Sequence, residues 1–289
     1  MKLNHNKNSF KPKTEKTFIF EKTMKNHFWI LIFVLVFNSG FGQELIPIDS
    51  IRLEADGEIT DFGTDDFNNI YFIRNSTELN KIECQTKKRK SFSNRNILEE
   101  LNTQNILQLS LKSGFFNLLI LDNQLNPVQD PIPLNSSTDF SPTLTAPVDN
   151  NFLWGYDPVV QRLLLWNYRE KKIVRQSMIL NDRDAAEFFT KLIYYSNKIY
   201  LAGNGKILKF DEFANLEKVI PIDEYDQLYV IENYIFYSKE GEIYRLDQKT
   251  NLSEKIAETD GFDFFSLNKS YLFVLKDKVV YLYDSQNFF

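Results

Sequence analysis

The sequence predicts an all-β protein, a six-bladed β-propeller, on three observations. First, the 24 residues from Asn197 to Ile220 align without a gap on Asn233 to Ile256. The offset is a constant 36 residues and pairs Asn197 with Asn233, Gly205 with Gly241, Asp211 with Asp247 and Asn215 with Asn251. Second, each unit consists of short β-branched and aromatic runs broken by Gly, Asn and Asp at hairpin spacing, which reads as antiparallel strands joined by tight turns. Third, an acidic or amide residue ends the third strand of every unit: Glu83, Asp122, Asn167, Asp211, Asp247 and Asp284, at spacings of 39, 45, 44, 36 and 37. A period of about 35 to 50 residues holding several strands is the pattern of a propeller.

Blade 1 is expected from Ile59 through the turn Asp65-Asp66-Phe67-Asn68-Asn69 into IYFIR, then LNKIE, then a charged outer strand near Lys90 to Phe92. Blade 2 starts around Ile97 to Leu101, continues as ILQLSLK and NLLILD, and ends over Pro127 to Leu134. Pro127, Pro131 and Pro133 belong on an edge strand, where a missing N–H is tolerated. Blade 3 takes Thr143 to Val148, then FLWGY, RLLLWN and KIVRQSM. The stretch from Asn181 to Phe189 begins with capping Asn and Asp and runs on through Ala and Glu, so a short inter-blade helix is expected there. Blades 4 and 5 are the aligned pair. Blade 6 supplies FDFFSL, YLFVLK and VVYLYD before Phe289. Its fourth strand is expected from Leu45 to Leu53, LIPIDSIRL, whose apolar–polar alternation suits a strand that closes the ring and covers an open sheet edge.

Ahead of the blades, Phe28 to Phe37 are ten consecutive apolar residues, preceded by Lys25 and followed by Asn38-Ser39-Gly40-Phe41-Gly42. The run is too short to span a bilayer and suits the centre of a secretory signal peptide over residues 1–42, cleaved after Gly42. Met24 would give a leader of ordinary length, making residues 1–23 an upstream extension from a misassigned start; a long basic leader is the other reading. No cysteine follows the apolar run to carry a lipid, and no later stretch nears the roughly 20 apolar residues of a spanning helix. The expected mature chain, 43–289, is a soluble propeller without a membrane span. Its compartment is the periplasm, or alternatively the cell surface or the medium.

The leader holds seven of the 34 basic and two of the 39 acidic residues, so the mature chain carries a formal charge of −10. Nucleic acid is thereby disfavoured as a partner, because phosphate-backbone affinity comes from clustered Lys and Arg. The one basic cluster, Lys87-Lys88-Arg89-Lys90, falls where an outer strand begins and reads as a solvated edge. Cys84 is the only cysteine, so no internal disulfide can form and packing must supply the stability. Four Asn-X-Ser/Thr triplets, at Asn75, Asn135, Asn251 and Asn268, occur in an Asn-rich chain that looks bacterial. Both histidines, His5 and His27, lie in the leader. A mature chain without imidazole has no Ser-His-Asp or Cys-His nucleophile and no His-ligated zinc or copper.

Three constellations have the composition of a site. Asp65-Asp66-Phe67-Asn68-Asn69 is oxygen-rich but lacks the spacing and distal Glu of a calcium loop, so it reads as a hairpin turn. Asp182, Asp184 and Glu187 could pair carboxylates for glycoside chemistry, but acidic residues at a helix start are expected from its dipole alone. Trp154, Tyr156 and Trp166 could form a stacking platform, yet blades pack through large apolar side chains and core packing is the plainer reading. The six landmark residues read as turn formers, their side chains bonding the backbone that follows. No catalytic, cofactor-binding or metal-binding residue is assigned, and no cofactor is expected.

The pattern D-x-x-N-N-I-Y-F from Asp65 to Phe72, with repeated I/L-x-K/R-F/L-D strand ends, resembles the NHL-like and TolB-like group of extracytoplasmic propellers. LLILDNQLNP and FLWGYDP also look like segments of small exported propellers that accompany outer-membrane machinery of the type 9 secretion route. That resemblance implies a periplasmic accessory, or plug-like, subunit of the translocon, and transfers no functional residue. The expected function is a non-enzymatic interaction module whose partner is an outer-membrane or cell-envelope protein. A glycan- or small-molecule-binding sensor propeller and a carboxylate-based hydrolase are the alternatives.

Overall fold

The computed structural model describes residues 46–54, 56–104, 108–114, 116–135, 141–180, 189–203, 205–258 and 261–289. The expected leader lies outside them, as does the helix expected over 181–189 except for its last residue, Phe189, which instead begins a strand. Twenty-four strands form six four-stranded antiparallel sheets arranged as a ring. Strand β1 (Asp49–Arg52) comes first. Blade 1 is β2 (Ile59–Thr64), β3 (Ile70–Arg74), β4 (Glu78–Ile82) and β5 (Arg89–Ser93); blade 2 is β6 (Leu98–Asn102), β7 (Gln108–Ser113), β8 (Asn117–Asp122) and β9 (Ile132–Pro133). Blade 3 is β10 (Leu144–Pro147), β11 (Phe152–Asp157), β12 (Arg162–Asn167) and β13 (Lys172–Gln176); blade 4 is β14 (Phe189–Tyr195), β15 (Lys198–Gly203), β16 (Lys206–Phe210) and β17 (Leu216–Pro221). Blade 5 is β18 (Gln227–Ile231), β19 (Tyr234–Lys239), β20 (Glu242–Asp247) and β21 (Ser253–Glu258); blade 6 is β22 (Phe264–Leu267), β23 (Tyr271–Lys276) and β24 (Val279–Asp284), with a 3-10 turn at Gln286–Phe288. β1 hydrogen-bonds antiparallel to β24, Ile51 facing Val280, as the fourth strand of that sheet.

Residue type sorts the strands from the inside out. Second strands are almost wholly buried, as in β3 (IYFIR), β11 (FLWGYD) and β19 (YIFYSK). A strand covered by a neighbouring blade on each face reads as a continuous apolar run, not an alternating one. Fourth strands are exposed: four of the five residues of β5 (RKSFS), and of β13 (KIVRQ), face solvent. Charge on an outer edge discourages further strand pairing. Lys87 and Arg89 of the basic cluster pair with Asp49 at 3.5 Å and Glu54 at 3.0 Å, as a solvated edge would. Pro133 ends the outer strand of blade 2, at the rim.

The 36-residue repeat has a backbone cause. The turns before β16 and β20 place Gly205 at φ +80° and Gly241 at φ +79°, a left-handed conformation that L side chains adopt at a cost. Six buried clusters hold the ring, one at each junction between blades. Five of them include side chains of the first, innermost strands, such as Phe62 between blades 6 and 1 or Leu228 and Val230 between blades 4 and 5. The cluster between blades 2 and 3 differs. Its buried members come from outside the innermost strands: Leu118, Ile120, Ile132 and Leu134 against Leu153, Leu164, Trp166 and Tyr168.

Candidate functional site

Antiparallel order puts the turns between first and second and between third and fourth strands on one face of the ring, here termed the landmark face. The remaining turns and the inter-blade crossings lie on the opposite face. At the landmark face the predicted turn chemistry is present. Asp122 Oδ1 accepts the N–H groups of Gln124 and Asn126, both at 2.8 Å, and Asp211 Oδ1 accepts those of Phe213 at 2.9 Å and Asn215 at 2.8 Å. Asn167, Asp247 and Asp284 likewise bind following backbone N–H groups, while Glu83 accepts from the Thr86 hydroxyl.

Asp65 repeats the device. Its Oδ1 accepts from Phe67 and Asn69 N–H, both at 2.9 Å, and its Oδ2 from Asn69 Nδ2 at 2.8 Å and the Tyr71 hydroxyl at 2.9 Å. Burial, and then Asp65 itself, push the Tyr71 hydroxyl pKa upward. With its acceptor positions occupied, Asp65 anchors a D-x-x-x-N turn of the kind found at 122–126 and 211–215. Trp154 and Tyr156 are buried between blades 3 and 4, and Trp166 between blades 2 and 3. The strand register pairs Trp154 with Leu165 and Leu153 with Trp166, so the two indoles point to opposite faces of one sheet and share no platform. Asp182, Asp184 and Glu187 lie outside the described residues. Among the described residues no group of three or more His, Cys, Asp or Glu side chains is placed to hold a metal ion, and no helix is long and apolar enough to cross a membrane.

The arrangement with chemical potential lies where sequence reasoning did not look. A cavity of about 240 Å³ opens among the innermost strands of blades 1 to 5, lined by β2, β6, β10, β14 and β18 and reaching in to Ser110, Lys112 and Leu118 of blade 2. It shares Asn102, Gln104 and Ser110 with a wider groove of about 700 Å³ that also touches Pro147, Val148, Tyr194, Tyr195 and Ser196. Three charged side chains enter the cavity from innermost strands: Asp61, Glu100 and Lys191.

All three sit at breaks in strand register. The β2/β3 pairing slips between Ile59 and Asp61, β6/β7 between Glu99 and Asn102, and β14/β15 between Phe189 and Lys191. Pairings of the other three innermost strands run without a slip. An inserted residue turns the side chains after it to the other side, and bulges concentrate beside functional sites for that reason. Glu100 also has φ +49°, a costly backbone for a residue with a Cβ.

The charges are unequally satisfied. Asp61 accepts Phe62 N–H and Leu101 N–H, each at 2.7 Å. Glu100 pairs with Lys112 at 3.3 Å, and Lys112 also donates to Thr143 O at 3.2 Å. Lys191 lies over the Tyr229 ring, 5.3 Å from its centroid, and forms no ion pair or hydrogen bond among the described residues. Lys191 is partly buried, and the accessible area it retains faces the cavity. Burial lowers its pKa, with Asp61 and Glu100 opposing. Burial raises the Asp61 pKa, the Leu101 N–H, Lys191 and Phe62 N–H opposing, and raises that of Tyr229 with Asp61 adding to it. A signal for these residues existed: a lone Lys in FTKLIYY and a lone Asp in ITDFGT interrupt strands that otherwise build the ring's interior.

No family model matches the chain, and no curated protein matches it in sequence. Solved structures match its fold. A crystal structure of the mitotic checkpoint complex is 7% identical, covering 83% of this chain and 96% of that one at a TM-score of 0.56. The Pan2 WD40 domain of Neurospora crassa is 10% identical over 81% and 80% at 0.53. An extracellular domain ascribed to a hybrid two-component system of B. thetaiotaomicron is 11% identical over 79% of this chain and 34% of that one at 0.52. Identities this low speak for architecture alone, and the architecture is a propeller of six four-stranded blades.

Proposed function

We propose that the protein is an exported, non-enzymatic interaction module of the cell envelope, which docks a partner protein through the face opposite the landmark turns. The observation that carries this reading is a group of exposed apolar side chains on that face at blades 2 and 3. Ile97 adjoins Phe116 because Gly114 N–H donates to Ile97 O and Phe116 N–H to Gly114 O. On the next blade Val159 and Val160 adjoin Met178 and Ile179, because Leu180 N–H donates to Gln161 O. Met178 is 86% and Val159 83% exposed. Isolated exposed apolar residues, such as Phe67, Phe213 and Leu252 in separate turns of the landmark face, are ordinary; adjoining ones mark an interaction surface.

Across the same face, the crossings into blades 1 and 5 expose Glu54, Asp56, Glu58, Asp223, Glu224 and Asp226. The fitting partner therefore has an apolar anchor flanked by basic residues, since opposite potentials steer encounter and fix register. Export, a periplasmic location and an envelope partner follow from the leader expected over residues 1–42. The finer reading, an accessory or plug-like subunit of outer-membrane secretion machinery, draws on the resemblance of LLILDNQLNP and FLWGYDP.

The test is a photo-crosslinking amino acid placed at Met178, with Phe213 on the landmark face as the comparison, in the native host. A discrete adduct with one envelope protein from position 178 alone is expected. Adducts from position 213 only, or none from either, would overturn the reading.

A further inference from the structure

We propose that the cavity enclosed by the innermost strands of blades 1 to 5 is a binding site for a small organic acid, whose carboxylate seats on the ammonium of Lys191. Three independent features of the cavity agree on this. The first is charge. Asp61 is held by two backbone N–H groups and Glu100 by Lys112, so Lys191 is the cavity's one cation with no anionic partner within ion-pair distance among the described residues. A desolvated ammonium is unfavourable without a counter-charge. The Tyr229 ring beneath it supplies a weaker, partial compensation. A carboxylate brings that counter-charge; a cation is repelled, and a neutral group supplies only part of what is missing.

The second feature is the wall. Leu101, Leu118, Leu144, Leu192 and Leu228 line the cavity beside the hydroxyls of Thr145 and Thr190. Such a mixture suits an organic body with an apolar side, and a volume of about 240 Å³ admits a small metabolite and excludes a polymer. The third is construction. The slips in β2, β6 and β14, and the left-handed Glu100 inside β6, depart from the unbroken register of the other innermost pairs, and each aims a charge at this space. Local irregularity that costs stability and converges on one cavity is the pattern of a site. The wider groove sharing Asn102, Gln104 and Ser110 provides the entrance.

The experiment compares phenylacetate and hexanoate with their primary amides, and with sulfate, by thermal shift and calorimetry on the mature chain, wild type and Lys191→Met. Both acids are expected to raise Tm saturably, with the amides and sulfate ineffective at equal concentration and affinity falling at least tenfold in the variant. The proposal is overturned if the amides bind as well as the acids, if sulfate reproduces the shift, if Lys191→Met binds unchanged, or if neither acid binds. The acid-to-amide comparison is made on wild type, so it stays decisive should Lys191→Met fail to fold, and Lys191→Gln serves as a second variant.

Discussion

The junction between blades 6 and 1 and the junction between blades 2 and 3 join the same structural unit in two ways. At the first, the ring is fastened from centre to rim. Thr64 N–H donates to Ser266 Oγ at 3.1 Å while the two hydroxyls lie 2.8 Å apart, and Asn268 Nδ2 donates to Asp65 O at 2.9 Å and Asn68 Oδ1 at 2.8 Å. Behind them Phe62, Phe273 and Val280 pack with Ile51 and Leu53 beside β1. At the second, the buried cluster around Trp166 includes no side chain of an innermost strand, and inside it lies the wall of the cavity that blades 1 to 5 share, charged by Asp61, Glu100 and Lys191. A propeller thus needs continuous packing only at enough junctions to keep the ring rigid, which leaves the space among the innermost strands free to carry chemistry.

If that contrast is right, damage at the first junction should be costly. The largest effect is expected from deleting residues 43–54. This removes β1 and with it Ile51 and Leu53, which are 8% and 2% exposed, and bares the β24 edge. Burial of two such side chains contributes roughly 1.5–3 kcal/mol each before the lost strand pairing is counted. Tm should fall by 10 °C or more, at about 2–4 °C per kcal/mol in a domain of this size. An unchanged melting curve would mean that β1 contributes nothing to the ring.

One substitution made at both junctions sharpens the comparison. Ser266→Ala removes the partner of both the Thr64 N–H and the Thr64 hydroxyl, at a buried site, and should cost about 1–3 kcal/mol. Ser110→Ala, in the wall of the cavity, should change stability by less than about 0.5 kcal/mol. Urea unfolding of the two variants side by side decides the matter: equal losses would show that the second junction is as tightly bonded as the first.

The same contrast explains what the sequence disclosed. Blade number, strand order and the landmark turns were legible because they rest on local chemistry: Gly205 and Gly241 at left-handed φ, Asp122 and Asp211 bonding their own turns, and unbroken apolar runs in second strands. The packed roles of Trp154, Tyr156 and Trp166 followed from the same logic. Asp61, Glu100 and Lys191 were not legible as a group. They lie 39 and 91 residues apart along the chain and meet only when the ring forms, and the register slips that turn them inward leave no motif. The apolar patch at Ile97, Phe116, Val159 and Met178 escaped for the same reason, since its members belong to four separate turns and crossings.

The smallest effect expected has the opposite sign. Replacing Lys191 by Met together with Asp61 by Asn removes two partly buried charges that form no ion pair with each other, and should stabilise the unliganded protein by about 1–2 kcal/mol, because their partial desolvation is incompletely offset. The single substitutions should gain less, each leaving one charge with less compensation. The pH dependence has a defined sign. Asp61, facing Lys191, Glu100 and Tyr229, has its folded pKa raised by burial. Stability from this group is therefore full below the ordinary carboxylate range and is lost as pH rises through the raised value. The Lys191 pKa is lowered in the folded protein, so its contribution is full only above the ordinary lysine range and is lost as pH falls through the lowered value. The excess Tm of the double variant over wild type should therefore shrink toward low pH, as Asp61 takes up its proton, and toward high pH, as Lys191 loses its own. A double variant that melts below wild type at pH 7 would make the two charges a structural pair, linking blades 1 and 4 across the cavity as Thr64 and Ser266 link blades 1 and 6.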